Sequence, residues 1–237
     1  MITPTLPFPK SCRFYDRLND LMNYAELKRL IYSLLSMQQK KRFRTLSVLS
    51  LFPGEGKTLV CAAMAMAYVE ACRSRVLAVD ATTYGNTNSL VLKDCLDPSN
   101  SQIDFLSLSE RRSETSERHA LALDARHARE TASLEAVVIK EDSTSLSLTK
   151  ESDHALISKI AAEESKRYGL VLLDTVPLTV KNKSNVDPYL TASMSDASVL
   201  IVSRKLLNAP DLKSCLKILE NPALHLIGMV SNEEFVQ

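Results

Sequence analysis

The stretch that most constrains how this chain can fold is Phe52-Pro53-Gly54-Glu55-Gly56-Lys57-Thr58. The run Thr45-Leu46-Ser47-Val48-Leu49-Ser50 precedes it and predicts a short buried strand. A nearly continuous apolar, alanine-rich run over 59–72 follows it and predicts a helix. Glycines let a backbone turn so that several N–H groups point at one anion. Strand, glycine turn and Gly-Lys-Thr opening a helix therefore predict a phosphate-binding loop.

The residues of this loop have distinct predicted roles. We expect the backbone around Gly54 to Gly56 and the partial positive charge of the helix N-terminus to hold the phosphates of a nucleotide. The predicted nucleotide-binding positions of the loop, besides Lys57 and Thr58, are Pro53, Gly54, Glu55, Gly56 and Leu59. Lys57 would reach the outer phosphates, and the Thr58 hydroxyl would ligate Mg²⁺. The general pattern has a further glycine where this chain has Leu51. The alternative is an ordinary strand–helix turn with a surface lysine, which the flanking pattern disfavours.

Two buried strands downstream of the loop each end in an aspartate. The apolar run 76–79 precedes Asp80, and the run 170–173 precedes Asp174. Ligands of open α/β sheets bind at the carboxyl ends of the parallel strands. We therefore expect both carboxylates to lie near Thr58, where they would hold Mg²⁺ and orient a water. The alternative is that each aspartate caps the turn that follows it.

The remaining apolar patterns predict the fold. Runs over 198–202 and 226–230 predict two more buried strands, 211–219 a helix between them, and 16–39 a helix before the first strand. Strands that alternate with helices form a mostly parallel central sheet flanked by helices on both faces. The predicted fold class is therefore α/β, a three-layer architecture of the P-loop NTPase type.

The domain organisation follows from where these patterns stop. Residues 1–16 are proline-rich and predict an irregular leader, and 17–237 predict a single P-loop ATPase domain. A serine-rich, charged insertion at about 96–134 is either a solvated helix or a mobile loop over the site. After it, 136–139 predict one more short strand and 155–166 a helix.

Composition excludes some classes of function. A formal net charge of +1 gives no field that would favour nucleic acid. The five cysteines have no metal-like spacing and indicate a reducing compartment. There is no signal-peptide pattern and no apolar run of the roughly 20 residues that a bilayer span needs. We expect a soluble cytoplasmic protein, peripheral at the membrane only through a partner.

A run of cations, Lys40-Lys41-Arg42-Phe43-Arg44, leads into the first strand. The simpler interpretation, which we favour, is that these cations interact with a helix C-terminus and face water. The second is contact with anionic lipid or with an acidic partner.

Several of these motifs together resemble one family. The phosphate loop resembles that of the bacterial tyrosine kinases, the cytoplasmic ATPases of capsule and exopolysaccharide export. The resemblance covers about 26–232, with 96–134 unmatched. The residues similar to those of the family are Glu26-Leu27-Lys28-Arg29, Val76 to Asp80, Leu172-Leu173-Asp174-Thr175-Val176-Pro177, Asp187, Asp196 and Ile227 to Asn232. Asn232 looks like the asparagine that contacts adenine in that family.

The resemblance implies a function. It implies ATP and Mg²⁺ as cofactors, an ATP-dependent phosphotransferase or ATPase of the tyrosine-kinase type, and a role in exopolysaccharide or capsule biosynthesis or export. It also implies a membrane polysaccharide co-polymerase or adaptor as partner, and assembly into a homo-oligomer, with no nucleic acid. One alternative is a nucleotide-binding scaffold that has lost catalysis. Another, a partitioning or division-site ATPase, is disfavoured because that class has a lysine where this chain has Phe52.

The sequence departs from the family at three informative positions. Tyr32 stands where the third element of the Glu-x-x-Arg-x-x-Arg helix is arginine. In the Asp-x-Asp-x-Arg motif, Thr82 replaces the second carboxylate and Tyr84 replaces the arginine. Loss of a residue that supports a metal ligand typically lowers affinity or activity about 10–100-fold. We therefore expect ATP binding with weakened turnover.

Overall fold

The computed structural model describes residues 15–82, 92–96, 100–108, 157–162, 164–180, 186–203, 217 and 219–232. Its α-helices are α1 (Tyr15–Asn23), α2 (Ala25–Lys41), α3 (Lys57–Cys72), α4 (Leu92–Cys95) and α5 (Pro188–Met194), and residues 157–162 are also helical. Its strands are β1 (Thr45–Ser50), β2 (Val76–Asp80), β3 (Ile103–Ser107), β4 (Leu170–Asp174), β5 (Ala197–Ser203) and β6 (Leu226–Asn232). Short 3₁₀ turns occupy Glu164–Lys166 and Pro222–Leu224.

Some sequence predictions fall outside the described residues. These are the leader before residue 15, Tyr84, most of the insertion, the strand at 136–139 and most of the helix at 211–219. In the described part of the chain, no helix is both long and apolar enough to cross a bilayer.

The described strands form one parallel sheet in the order β3-β2-β4-β1-β5-β6. All strands therefore end at the same side, which we call the carboxyl edge, and begin at the opposite side, the amino edge. β4 lies between β1 and β2, so Asp80 pairs in register with Asp174, and Asp174 also pairs with Val48. The chain order alone would not have placed these two aspartates next to each other.

Alternate residues of each strand pack on opposite faces of the sheet, as the pleat requires. On β4, Leu170 and Leu172 join the core under α1 to α4, whereas Val171 and Leu173 join the core under the helical residues 157–162. The same alternation separates the inward residues of β1, β2 and β5. Helices on both faces of a parallel sheet confirm the predicted three-layer α/β fold.

The helix predicted over 16–39 is in fact two helices. Its buried residues are spaced by four at Leu18 and Met22, but the next one, Leu27, follows after five. An unbroken helix would have turned Leu27 away from the core, because neighbours on one face are three or four residues apart. Extended backbone at Tyr24 (φ −67°, ψ 132°) breaks the helix and brings both apolar faces onto the sheet.

The start of the predicted insertion also differs from expectation. Ile103–Ser107, which we assigned to the polar insertion, is the edge strand β3 and pairs with β2 from Val76 to Asp80. Its first three residues are only partly buried. An edge strand of this kind has few buried apolar residues, and serines flank it, so the sequence pattern did not indicate a strand.

Candidate functional site

The phosphate loop connects β1 to α3 at the carboxyl edge. Both of its glycines have a left-handed backbone, with φ 82° at Gly54 and φ 78° at Gly56. A Cβ in this conformation comes too close to the following carbonyl, so only glycine adopts it readily. Gly56 is the N-cap of α3. The loop therefore ends at a helix N-terminus, whose first N–H groups have no partners within the helix and are available to an anion.

The Glu55 side chain points into the protein and holds the loop in place. It is 2% exposed. Oε2 accepts hydrogen bonds from the N–H groups of Leu51 (2.8 Å) and Phe52 (2.9 Å), and Oε1 accepts one from Ser203 at the end of β5 (3.0 Å). Because these bonds occupy the carboxylate, any contact of Glu55 with a phosphate is made by its backbone.

Asn232 connects the same loop to the last strand. It is buried at the end of β6, and its Nδ2 donates to the Glu55 carbonyl at 2.9 Å. The sequence resemblance suggested that this side chain contacts adenine. The structure adds a second role, since the amide ties the phosphate loop to the edge of the sheet.

Lys57 and Asp174 form a buried ion pair beneath the loop. The Lys57 Nζ donates to Asp174 Oδ1, and the two side chains are 7% and 0% exposed. The other oxygen, Asp174 Oδ2, is buried and has no hydrogen-bond partner among the described residues. A buried carboxylate oxygen without a partner is costly, and a metal ion or a metal-bound water would satisfy it.

Asp80 is beside Asp174 on the neighbouring strand. Its Oδ1 accepts from both the backbone N–H (2.8 Å) and the hydroxyl (2.5 Å) of Thr82. Burial and, secondly, the charge of Asp174 raise the pKa of Asp80 above its ordinary value. Burial and the charge of Asp174 also raise the pKa of the Cys61 thiol, one turn along α3 from Lys57. Both groups are therefore shifted towards their neutral forms, first by burial and then by the charge of Asp174.

The donors at this edge are suited to Mg²⁺. No group of three or more His, Cys, Asp or Glu in the described residues could hold a metal by itself. Mg²⁺ sites, however, commonly use one or two carboxylates together with phosphate oxygens and waters. Asp80, the unpartnered oxygen of Asp174 and the hydroxyl of Thr58 in the first turn of α3 are oxygen donors of this kind. Their chemistry fits Mg²⁺ bound together with a nucleotide.

Two other aspartates of the resemblance have structural roles. Asp187 caps α5, since its Oδ1 accepts from the N–H of Tyr189 at 2.9 Å. Asp196 lies at the amino edge, where its Oδ2 accepts from the N–H groups of Arg44 (2.8 Å) and Thr45 (2.9 Å). It therefore fixes the start of β1 and takes no part in the candidate site.

Sequence reasoning missed two residues that support the loop. Thr179 donates to the Leu51 carbonyl through its N–H (3.1 Å) and its hydroxyl (2.5 Å), and Ser203 donates to Glu55. Thr179 follows the strand that ends in Asp174, so its position after a carboxyl end was the available signal. The same signal was present for Ser203, which directly follows the strand predicted over 198–202.

No protein-family model and no curated protein matches the sequence. Solved structures do match the fold. The kinase domain of the Escherichia coli tyrosine kinase ETK aligns with a TM-score of 0.53 at 14% identity, over 89% of this chain and 75% of that one. The VpsO kinase domain gives 0.54 at 18%, over 93% and 98%, and the BceF tyrosine kinase domain gives 0.52 at 14%, over 87% and 76%. This chain has the fold of bacterial tyrosine kinase domains.

At these identities the likeness concerns the fold. It confirms that the resemblance seen in separate motifs extends to the architecture that positions them. The carboxyl edge of this kinase-like fold carries the phosphate loop, the Lys57–Asp174 pair and Asp80.

Proposed function

We propose that this chain binds ATP together with Mg²⁺ at the carboxyl edge and acts as a tyrosine-kinase-like ATPase in exopolysaccharide or capsule assembly. One observation carries the proposal. A glycine loop that ends at a helix N-terminus lies above two neighbouring buried carboxylates, one of them paired with the loop lysine. This combination of anion donors and cation ligands suits a magnesium–nucleotide complex.

Each residue then has a defined task. The backbone N–H groups from Gly54 to Leu59 bind the phosphates, and Lys57 would neutralise their outer oxygens. Thr58 and Asp174 would hold Mg²⁺, and Asp80 would orient a water beside it. The bound ion would supply positive charge where negative charge develops on the transferring phosphoryl group. Glu55 and Asn232 keep the loop in the binding conformation.

Slow turnover is part of the proposal. The Thr82 hydroxyl donates to Asp80, whereas the resembling family has a second carboxylate at this position. A hydroxyl orients Asp80 but adds no negative charge for a metal. The same observation favours a second candidate, a scaffold that signals by ATP occupancy without catalysis. Hydrolysis by the purified protein, with and without its membrane partner, separates the two.

The partner in this proposal is a membrane polysaccharide co-polymerase or adaptor, and the protein works as a homo-oligomer at the cytoplasmic face of the membrane. The support for these features is the resemblance of the sequence motifs and of the fold.

The test compares wild type with the double variant Lys57→Met/Asp174→Asn. Removing both charges avoids leaving one of them buried and unpaired. Because the variant lacks the lysine at the outer phosphates and a Mg²⁺ ligand, we expect at least a 100-fold weaker affinity for a labelled ATP analogue with Mg²⁺. The control, Lys41→Ala at the amino edge, should bind like wild type. Equal affinity of the double variant and wild type would show that the site is elsewhere.

A further inference from the structure

A second charged surface lies at the amino edge, on the side of the sheet opposite the proposed nucleotide site. Exposed cations precede three strands that are neighbours in the sheet, β2, β4 and β1. We call them the amino-edge cations: Arg73 and Arg75 before β2, Lys166 and Arg167 before β4, and Lys40, Lys41, Arg42 and Arg44 before β1. Adjacent strands are only about 5 Å apart, so three distant segments of the sequence contribute to one patch.

Hydrogen bonds join the elements that carry these cations. Gln38 of α2 and Tyr68 of α3 both donate to the carbonyl of Gly169, at 2.8 Å and 3.1 Å, just before β4. The Arg44 guanidinium donates to the carbonyl of Ser165 at 3.0 Å. The C-terminal ends of α2 and α3 therefore meet at the start of β4, and the cations that follow them are held together by the fold.

Two of the arginines have an unfavourable backbone conformation. Arg42 ends α2 with φ 55°, and Arg73 ends α3 with φ 52°. Glycine is the usual residue at such left-handed helix ends, because a Cβ is strained there. The dipole of α2 accounts for Lys40 and Lys41 in its last turn. The dipoles also favour positive charge at the last residue of each helix. Arg42 and Arg73 thus keep a positive charge at two positions where glycine would be less strained.

Only some of the amino-edge cations have an acidic side chain beside them. Arg75 pairs with Asp104 at 2.6 Å, and Arg167 pairs with Glu164 at 3.5 Å. Asp196 uses one oxygen for the backbone of β1, and Glu70 is exposed in the last turn of α3. Six of the eight amino-edge cations have no ion pair among the described residues. Arg44 is held by its hydrogen bond to the Ser165 carbonyl, and the other five are Lys40, Lys41, Arg42, Arg73 and Lys166.

We propose that the amino-edge cations contact an anionic lipid surface directly. Specific recognition of a peptide or of single-stranded nucleic acid usually needs exposed aromatic or apolar anchors as well as charge. The large hydrophobic side chains exposed in the described residues are Tyr24, Tyr32, Leu226 and Met229. Leu226 begins β6 and so lies at the amino edge, but β5 separates that strand from β1, and none of the four lies at the starts of β1, β2 or β4. A cluster of cations without anchors matches lipid headgroups, which attract each Lys or Arg near the surface. The carboxyl edge would then face away from the membrane.

The test uses vesicles of phosphatidylcholine with one lipid in three replaced by phosphatidylserine. The variant Arg42→Gly/Arg73→Gly removes two charges and also relieves the left-handed backbone. We therefore expect an unchanged or higher melting temperature, unchanged ATP binding, and roughly 30-fold weaker vesicle binding. The conservative variant Arg42→Lys/Arg73→Lys should bind vesicles like wild type. The matched control Lys28→Ala/Arg29→Ala removes two exposed cations from the other end of α2 and should have little effect.

Three results would overturn this inference. One is a wild type that does not bind these vesicles, or binds pure phosphatidylcholine equally well. Another is equal loss in the control. The third is an acidic peptide or a DNA oligonucleotide that binds wild type more tightly than the vesicles do and loses affinity in the glycine variant, which would identify a macromolecular partner. Binding should also fall steeply between about 0.1 M and 0.5 M salt, because exposed charges are screened.

Discussion

The two edges of this sheet carry charge in opposite ways. At the carboxyl edge, Lys57, Asp174, Asp80 and Glu55 are buried, and hydrogen bonds or an ion pair hold each of them in place. At the amino edge, the charged side chains are largely exposed. A buried charge needs a fixed partner, whereas an exposed charge needs only water. Fixed, buried charges suit a ligand held in a defined geometry, whereas exposed charges suit a diffuse counter-charge.

The largest expected difference between the edges is in the free energy of unfolding, when a paired cation is replaced by methionine at each edge. Lys57→Met leaves Asp174 buried without its partner and should lower the free energy of unfolding by about 3–5 kcal/mol. Arg75→Met breaks the pair with Asp104, in which the side chains are 44% and 17% exposed, and should cost only about 0–1 kcal/mol. Urea unfolding at pH 7 measures both.

A control sharpens this prediction. Adding Asp174→Asn to Lys57→Met removes the unpaired charge and should recover part of the lost stability. If Lys57→Met and Arg75→Met destabilise the protein equally, burial does not distinguish the two edges.

An intermediate effect, on nucleotide affinity, is expected from an asparagine at the carboxyl end of β6, and a second asparagine before β6 serves as its control. Asn232→Ala removes the amide that holds the Glu55 carbonyl, so binding of both ATP and base-free tripolyphosphate should weaken about 5-fold, equivalent to one hydrogen bond of about 1 kcal/mol. Asn221→Ala is the control, because the Asn221 side chain also bonds the backbone, with its Oδ1 accepting from the N–H of Ala223 in the 3₁₀ turn before β6. Isothermal titration calorimetry gives the affinities. Weaker binding of ATP alone would mean that Asn232 acts only on the base.

The smallest effect concerns the pH dependence of stability. Burial raises the pKa of Asp80 in the folded protein above its unfolded value, so ionised Asp80 disfavours folding at neutral pH. Asp80→Asn should therefore raise the free energy of unfolding at pH 7 in the absence of nucleotide and metal. The gain should shrink as the pH falls through the raised pKa, because wild-type Asp80 then becomes protonated. Thermal melts at several pH values measure it, with Asp104→Asn as control. A gain that grows towards acid pH would contradict the prediction.

The local features of the site could be predicted from the sequence because they depend on short-range conformation. The left-handed turns at Gly54 and Gly56, the start of α3 at Lys57 and the buried strands that end in Asp80 and Asp174 all follow from residues close together in the chain. The alternation of apolar strands and helices likewise determined the three-layer class. Backbone preference and apolar periodicity act over a few residues and are therefore legible in a sequence.

Only the tertiary structure decided which of these pieces meet. Insertion of β4 between β1 and β2 pairs Asp80 with Asp174 and brings Lys57 to a partner 117 residues away, while the end of β6 reaches Glu55 from 177 residues away. The same strand order gathers the amino-edge cations from three segments. Strand order depends on how whole helices cover the two faces of the sheet, and that balance of packing is a property of the complete core, which no local pattern records.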